Sequence, residues 1–330
     1  MAARPPAAHA CNFNVEPFMI RFLCRRLLIL FPLLLGVSVF VFAVLRHGKT
    51  DPAMAYLRLS GLPPTETLLA TTRESLGLNQ PLWKQYLDWL ASALQGDLGL
   101  SYVTGNPALN EILYYLPATI ELTMWAMVAT IFISVPLGIA AALYKDRWPD
   151  HLTRIFAFSA VSMPSFWLGF LLVLLFSRHL DILPAMGRGG PEFLILPVFT
   201  LSFMSMGINI RLVRASMLEH MHSRSVTYAR SRGLKKWRII GQHVLRNALI
   251  PVLTSMSMHF GELLGGAVIV ENIFNWPGVG RYVVSAIYNH DYPVIQTFTL
   301  ATTLVFVLVN LLTDVLYARI DPRIRLGEGR

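Results

Sequence analysis

Charge is what this sequence has least of. Only 14% of its 330 residues are Asp, Glu, Lys or Arg, whereas a soluble globular domain carries about 25%. With 54% hydrophobic residues and a mean hydropathy of +0.52, the scarcity excludes an ordinary water-soluble domain. Cysteine is nearly absent as well. Cys11 and Cys24 stand alone near the N-terminus, their spacing fits neither a disulfide framework nor a metal site, and both are read as incidental thiols. No G-x-x-x-x-G-K-[ST] phosphate loop occurs, and no H-E-x-x-H, nucleophile elbow or paired-carboxylate constellation stands out. The chain is therefore expected to be non-catalytic and not to hydrolyse ATP itself. A signal peptide is not expected either, because the apolar run 27–45 is 19 residues long and a signal core is about 7–15. Acidic residues are fewer than basic ones, 19 against 28. That excess could suit nucleic acid, but the basic residues flank apolar runs, which membrane topology explains better. No nucleic-acid partner is expected.

The chain does have long apolar runs. The first, 27–45, is long enough to cross ~30 Å of hydrocarbon, and Arg21, Arg25 and Arg26 precede it. Four further runs carry no formal charge: 122–144, 155–177, 193–210 and 292–313. A fifth, 248–270, is interrupted by His259 and Glu262. The segments assigned to the inside hold 20 Lys or Arg and those outside hold 8, as the excess of cations on cytoplasmic loops requires. The expected fold is an all-α membrane protein with six transmembrane helices and both termini cytoplasmic. Residues 1–18 are read as an Ala/Pro-rich extension that fits no helix well, 19–45 as the first span, and 46–117 as a small extracytoplasmic subdomain with an amphipathic run at 82–94. A five-span core, 118–325, completes the chain. Pro136, Pro164, Pro197 and Pro251 fall in or at the ends of spans, where broken helices are tolerated if neighbours or a cavity satisfy the freed backbone.

One polar interruption stands apart. Residues 219–251 read EHMHSRSVTYARSRGLKKWRIIGQHVLRNALIP, and 211–246 hold nine Lys or Arg against one acid, Glu219. The pattern predicts a short helix over 225–232, stopped by Gly233 in a left-handed conformation, and a second helix from near Lys235. A helix-turn-helix outside the bilayer is a shape that a partner can grip. The run Thr227-x-Ala229-Arg230-x-x-Gly233-Leu234, followed by Leu245-Arg246-Asn247-Ala248 and Pro251, resembles the coupling loop of ABC-importer permeases in the dipeptide, oligopeptide and nickel branch. Relative to the general Glu-Ala-Ala…Gly pattern, Thr227 replaces the glutamate, Tyr228 the first alanine and Arg246 a later proline. These departures are what that branch looks like. The segment ENIFNWPGVG, with Glu271, Phe274, Pro277, Gly278 and Gly280, resembles the family's Glu-x-Ile-Phe-x-x-Pro-Gly-x-Gly. It implies a re-entrant turn at the outer mouth, with Phe274 and Trp276 at the interface. The stretch LGLNQPLWKQYLDWL resembles the family's first outer domain, and Met19 resembles its natural start, so that 1–18 would be an extension or a start-codon artefact.

Polar groups within spans are costly and therefore informative. Glu121 is expected to cap or bond a neighbouring helix, Asn209 to snorkel beside Arg211, and Asp314 to pair with Arg319 or reach the interface. His259 and Glu262 share a helix face at i, i+3, with Met258 at i, i+4 from the glutamate. His259 followed by Gly261-Glu262, together with YLRLSGLPPT, ILPAMGRGG and SMPSFWLGFLLVLLFS, resembles the nickel branch; the dipeptide branch tends to have Gln at the histidine. An imidazole suits Ni(II), which makes His259 a metal-contact candidate. A packing histidine bonded to the glutamate explains the pair equally well. His220 and His222 are read as solvated loop residues.

The resemblance covers 19–325 and implies one subunit of an importer working by alternating access, in the bacterial inner membrane. It implies a second permease subunit, two ATPase subunits that carry the ATP and Mg, an extracytoplasmic binding protein and surrounding lipid. The chain itself would bind no cofactor. The implied cargo is nickel or a related divalent metal, free or chelated. Two alternatives remain. One is the same machine carrying di- or oligopeptides. The other is a stand-alone secondary transporter, which gives no reason for the Gly233 loop and for which no internal repeat is evident.

Overall fold

The computed structural model describes residues 15–48 and 50–320, except for the side chains of 15–27, 253, 257 and 313–320. Cys11 and the basic C-terminal tail therefore lie outside the described residues. So do the side chains of Cys24, Arg21, Arg25, Arg26, Asp314 and Arg319. Every regular element among the described residues is helical, with one isolated bridge between Leu100 and Pro107.

The first helix, α1 (Val15–Arg46), begins four residues before Met19, so the last part of 1–18 is helical after all. Three short helices follow in the outer segment: α2 (Pro52–Leu59), α3 (Glu66–Ser75) and α4 (Leu82–Leu94). Asp51 caps α2 through Ala53 N–H at 3.0 Å and holds Arg73 of α3, which ties the two together. Next comes α5 (Ala108–Leu143). Its 36 residues start well before the expected second span, because Pro117 is accommodated within the helix.

The third apolar run is not one straight helix. It divides into α6 (Trp148–Ser162) and α7 (Ser165–Leu172), bent by 111°, with α7 continuing as π-helix over Val173–His179. Pro164 is the cause. It disfavours helical backbone at the residue before it, and Met163 is extended at φ −97°, ψ 120°.

The remaining helices are α8 (Glu192–Met221), α9 (Arg224–Ser231), α10 (Lys236–Ile239), α11 (Arg246–Ile273), α12 (Val279–Asn289) and α13 (Tyr292–Ile320). A π-helical stretch, Ile240–Leu245, joins α10 to α11. Among the described residues, four helices are long and apolar enough to cross a membrane, or up to six if each bent pair counts as one span.

The centre of the molecule is α5 against α8, with α11 and α6 packed on α8. Small residues permit the close approach: Gly207 of α8 lies against Ala157 and Ala160 of α6. Two buried clusters divide the core. Towards the outer turn, Ala118, Leu122, Leu196, Leu263 and Val270 pack with Phe274 and Trp276. At the other end, Ala142, Val213 and Met217 pack with Val226, Ala229, Ile239 and Val244 of the basic loop. That loop is thus part of the folded core along one face. Many large apolar residues remain exposed, among them Phe132 and Phe158, as expected where the solvent is hydrocarbon rather than water.

Candidate functional site

The basic loop is built from its sequence outward. α9 alternates inward Val226 and Ala229 with outward Thr227, Tyr228 and Arg230. Gly233 follows at φ +76° and closes the helix: its N–H donates to Arg230 O at 2.9 Å, and Leu234 N–H donates to Ala229 O at 3.2 Å. This two-bond stop requires a left-handed residue, which glycine supplies without steric cost. Leu234 then packs into the inner cluster, as does Leu245 from the π-helical stretch. Tyr228, Arg230, Trp237 and Arg246 face outward. The result is a short helix anchored on one side, with a basic and aromatic face free on the other. His220 and His222 do not converge on a ligand; each Nδ1 lies against a carbonyl of its own helix, Ser216 O and Leu218 O.

The polar residues of α11 form a connected chain. His259 is 4% exposed. Its Nδ1 lies 2.7 Å from the Glu262 carboxylate and its Nε2 lies 2.9 Å from Ser255 Oγ. An ionised carboxylate only accepts, so Nδ1 carries the proton. Ser255 Oγ also lies 3.2 Å from Asn209 Oδ1 of α8, and its one hydroxyl proton donates to either Asn209 Oδ1 or His259 Nε2 at a time. Asn209 is fully buried and donates to Ser205 O at 2.9 Å. It therefore does not snorkel beside Arg211, because it lies on the packed face of α8, opposite α11. Both ring nitrogens of His259 are engaged, and no group of three His, Cys, Asp or Glu residues able to hold a metal occurs among the described residues.

Glu262 itself is open, with its side chain 59% exposed. It borders a cavity of about 290 Å³ whose other walls come from the Met163-Pro164 break and from α8 at Thr200, Met204 and Ser205. On α11, Pro251, Thr254, Met258, Glu262, Gly265 and Ile269 are all exposed at helical spacing. One uncovered stripe thus carries Met258, which is 71% exposed, and Glu262.

The outer turn departs most from the sequence reading. Phe274 and Trp276 are each 1% exposed. They sit inside the core rather than at an aqueous interface, because the turn folds back onto the start of the α5 span. Trp276 Nε1 donates to Ala118 O at 2.9 Å. Asn275 takes φ +51°, letting Trp276 N–H close back on Glu271 O at 2.9 Å. Glu271 is fully buried and accepts from Thr119 Oγ1 at 2.5 Å and from Arg281 N–H at 2.9 Å. Thr119 Oγ1 in turn accepts from Val279 N–H at 2.8 Å. Gly278 is needed here for close approach rather than for its φ, since a Cβ would run into the Glu271 carboxylate. Gly280 belongs to the same tight return, since a Cβ there would meet Val268 and the Glu271 carboxylate, and Pro277 is spanned by the bond from Gly278 N–H to Trp276 O at 2.8 Å. Sequence reasoning missed Thr119; its only signal was its place in the LPATIEL string. Glu121, from the same string, pairs with Arg188 in the segment before α8 at 2.5 Å rather than capping a helix. Arg188 also lies over the Trp276 ring.

The structure thus combines a helical bundle, an anchored basic loop at one end, a buried polar chain that leads to the exposed carboxylate of Glu262, and a locked turn at the other end. The chain belongs to the family described as the inner membrane component of binding-protein-dependent transport systems, which matches residues 134–326, and the family's N-terminal component matches 19–123. It is a multi-pass inner-membrane protein.

The dipeptide transport system permease protein DppB of Alkalihalophilus pseudofirmus is 39% identical, over 93% of this chain and all of its own length. The glutathione transport system permease protein GsiC of Escherichia coli K12 is 40% identical, over 93% and 99%. The probable D,D-dipeptide transport system permease protein DdpB of the same strain is 38% identical, over 89% and 94%. Among solved structures, the inward-facing MetNI methionine ABC transporter matches with a TM-score of 0.54 at 15% identity, covering 64% of this chain and 96% of that one. That likeness concerns the fold alone.

Proposed function

We propose that this chain is one permease subunit of an ATP-driven importer for short peptides. The observation that carries the reading is the set of relatives at 38–40% identity, named as dipeptide, D,D-dipeptide and glutathione permeases and matched over nearly their whole length. Nickel, the cargo expected from His259 and its flanking motifs, has less support. Both ring nitrogens of His259 are already bonded, and a metal would have to displace one of these partners.

In this reading the chain crosses the membrane six times with both termini cytoplasmic, counting each bent pair as one span. A second permease subunit completes the pore along the exposed stripe of α11. Two ATPase subunits, which hold ATP and Mg, grip the outward face of α9 through Thr227, Tyr228 and Arg230. An extracytoplasmic binding protein delivers cargo to the outer mouth. The locked turn at Glu271, Phe274, Pro277, Gly278 and Gly280 stiffens the outer end, so that motion at the coupling loop reorients whole helices. Glu262 supplies a single negative charge on the path, held in place by His259. One charge can meet a peptide's N-terminal ammonium and still release it, which a closed multi-ligand cage could not do.

Uptake tests the reading. Cells lacking their own peptide importers, and expressing this chain with its neighbouring transport genes, should accumulate labelled dipeptide or glutathione in an ATP-dependent way. Radiolabelled nickel uptake that unlabelled peptides do not compete, with no peptide uptake at all, would restore the metal reading.

A further inference from the structure

The start of α6 carries a carboxylate that the transport reading does not use. Asp150, in the first turn of the helix, is fully buried, although the turn before it holds the exposed Lys145, Asp146 and Arg147. Its carboxylate gathers three N–H donors. Arg214 of α8 donates from Nε to Oδ1 at 2.6 Å and from Nη2 to Oδ2 at 2.8 Å. Asp146 N–H donates to Oδ2 at 2.9 Å, from a residue in the left-handed region at φ +60°. One group thus joins the α5–α6 turn, the start of α6 and the inner part of α8.

Stability alone does not call for such a pair. A buried ion pair can often be exchanged for apolar residues of similar volume without loss. What a two-bond arginine–carboxylate pair adds is a fixed distance and orientation, where apolar side chains would be free to slide. The surroundings give that fixity a use. Val213, next to Arg214, is buried in the inner cluster with Val226 and Ala229 of α9. Gly138 of α5 fits so closely against Val213 that a Cβ there would collide with its side chain. At this level α8 is therefore fixed to α5 and to the coupling loop, and Asp150 fixes α6 to α8. From Asp150, α6 runs about 18 Å at helical rise to its last residue, Ser162. Ser162, Met163 and Pro164 line the cavity that Glu262 borders. Packed and hydrogen-bonded side chains between rigid helices are what carries coupling between distant sites.

We propose that the bidentate Asp150–Arg214 pair is the joint that carries movement of the coupling loop into α6, so that the Met163–Pro164 wall of the Glu262 cavity moves when ATP binds. Both are positioning residues and neither touches cargo. The proposal rests on the reading of the chain as an importer subunit, and it holds whichever cargo the importer carries.

The importer assembled with its partner subunits in proteoliposomes provides the test. Asp150→Leu combined with Arg214→Met exchanges the pair for apolar groups; Asp146 is exposed, so water takes over its N–H. The double variant should keep its thermal midpoint, its ATPase subunits and its stimulated ATP hydrolysis. It should nevertheless import at least about fivefold less labelled dipeptide per ATP, the low end of coupling between sites. Movement of α6 is read separately. In a chain with Cys11 and Cys24 replaced by serine, Ser162→Cys should react with N-ethylmaleimide at different rates in the nucleotide-free and vanadate-trapped complexes. The double variant should lose that difference. If it fails to assemble, Arg214→Lys, which keeps the charge but not the paired bonds, should show a smaller rate difference and less import per ATP. Import per ATP at the wild-type level, or an unchanged rate difference, in the variant that assembles would overturn the proposal and leave the pair a packing anchor. So would a Ser162→Cys rate indifferent to nucleotide while Asp150 and Arg214 are intact. Nucleotide-dependent labelling without any dipeptide import would count against the peptide cargo alone, because the labelling comparison uses no cargo.

Discussion

Replacing Gly278 by alanine should damage the outer turn through a single collision. Gly278 has extended backbone, φ −101° and ψ 172°, so alanine adds no torsional strain. Its methyl would instead run into the Glu271 carboxylate, which is fully buried and accepts from Thr119 Oγ1 and Arg281 N–H. If the turn yields, the cost is that of overpacking, about 1–3 kcal/mol. If the carboxylate yields instead, two buried donors lose their acceptor, at about 1–3 kcal/mol each. Glu271→Ala strands the same two donors and should cost about 2–6 kcal/mol alone. With the carboxylate gone, however, the Gly278→Ala methyl has room. The double variant should therefore be more stable than the sum of the single losses, by about 1–3 kcal/mol, as residues in direct contact commonly are. The assay is the apparent thermal midpoint of the four proteins in one fixed detergent, followed by size-exclusion recovery after heating. Losses that add within error would refute the reasoning, because they would mean that the methyl and the carboxylate do not compete for the same space.

Three further outcomes follow from the geometry. Gly233→Val has no side chain to strike, since a Cβ there meets nothing within 4 Å; it should cost only the left-handed backbone, about 1–2 kcal/mol. The permease should insert normally yet lose copurifying ATPase subunits, and wild-type copurification with normal stimulated turnover would exclude α9 as the grip. Glu262→Gln should reduce uptake of labelled dipeptide with membrane abundance and basal ATPase activity intact, while His259→Gln, which can still bond both neighbours, should have the smaller effect. Equal, unchanged uptake in both variants would remove the pair from the path. Asn209→Leu should lower the thermal midpoint by removing the bond from Ser255, which keeps its contact with His259, a loss of about 0.5–1.5 kcal/mol, and an unchanged midpoint would show that the α8–α11 bond is not formed.

What the linear sequence determined is whatever depends on neighbours along the chain. The apolar runs marked the helices, because covering ~30 Å of hydrocarbon leaves little choice of residue or length. Gly233 marked the end of α9, because a left-handed stop selects glycine locally, and its φ of +76° follows. Pro164 was visible as a proline in an apolar run, but the 111° turn it starts was not, because a proline only removes helical preference at one point and the direction taken afterwards depends on what the next helix packs against. The polar chemistry was decided by tertiary structure. Asn209 meets Ser255 from 46 positions away, and Glu271 meets Thr119 from 152. Nothing in the spacing of either pair announces it. Phe274 and Trp276 look interfacial in sequence, yet they are core residues because the turn folds over α5 and presents Ala118 O to the indole. A buried polar group is stable only beside its partner, and in a helical bundle that partner usually comes from another helix. Sequence can therefore show that such a group is costly, but only the packing shows how the cost is met.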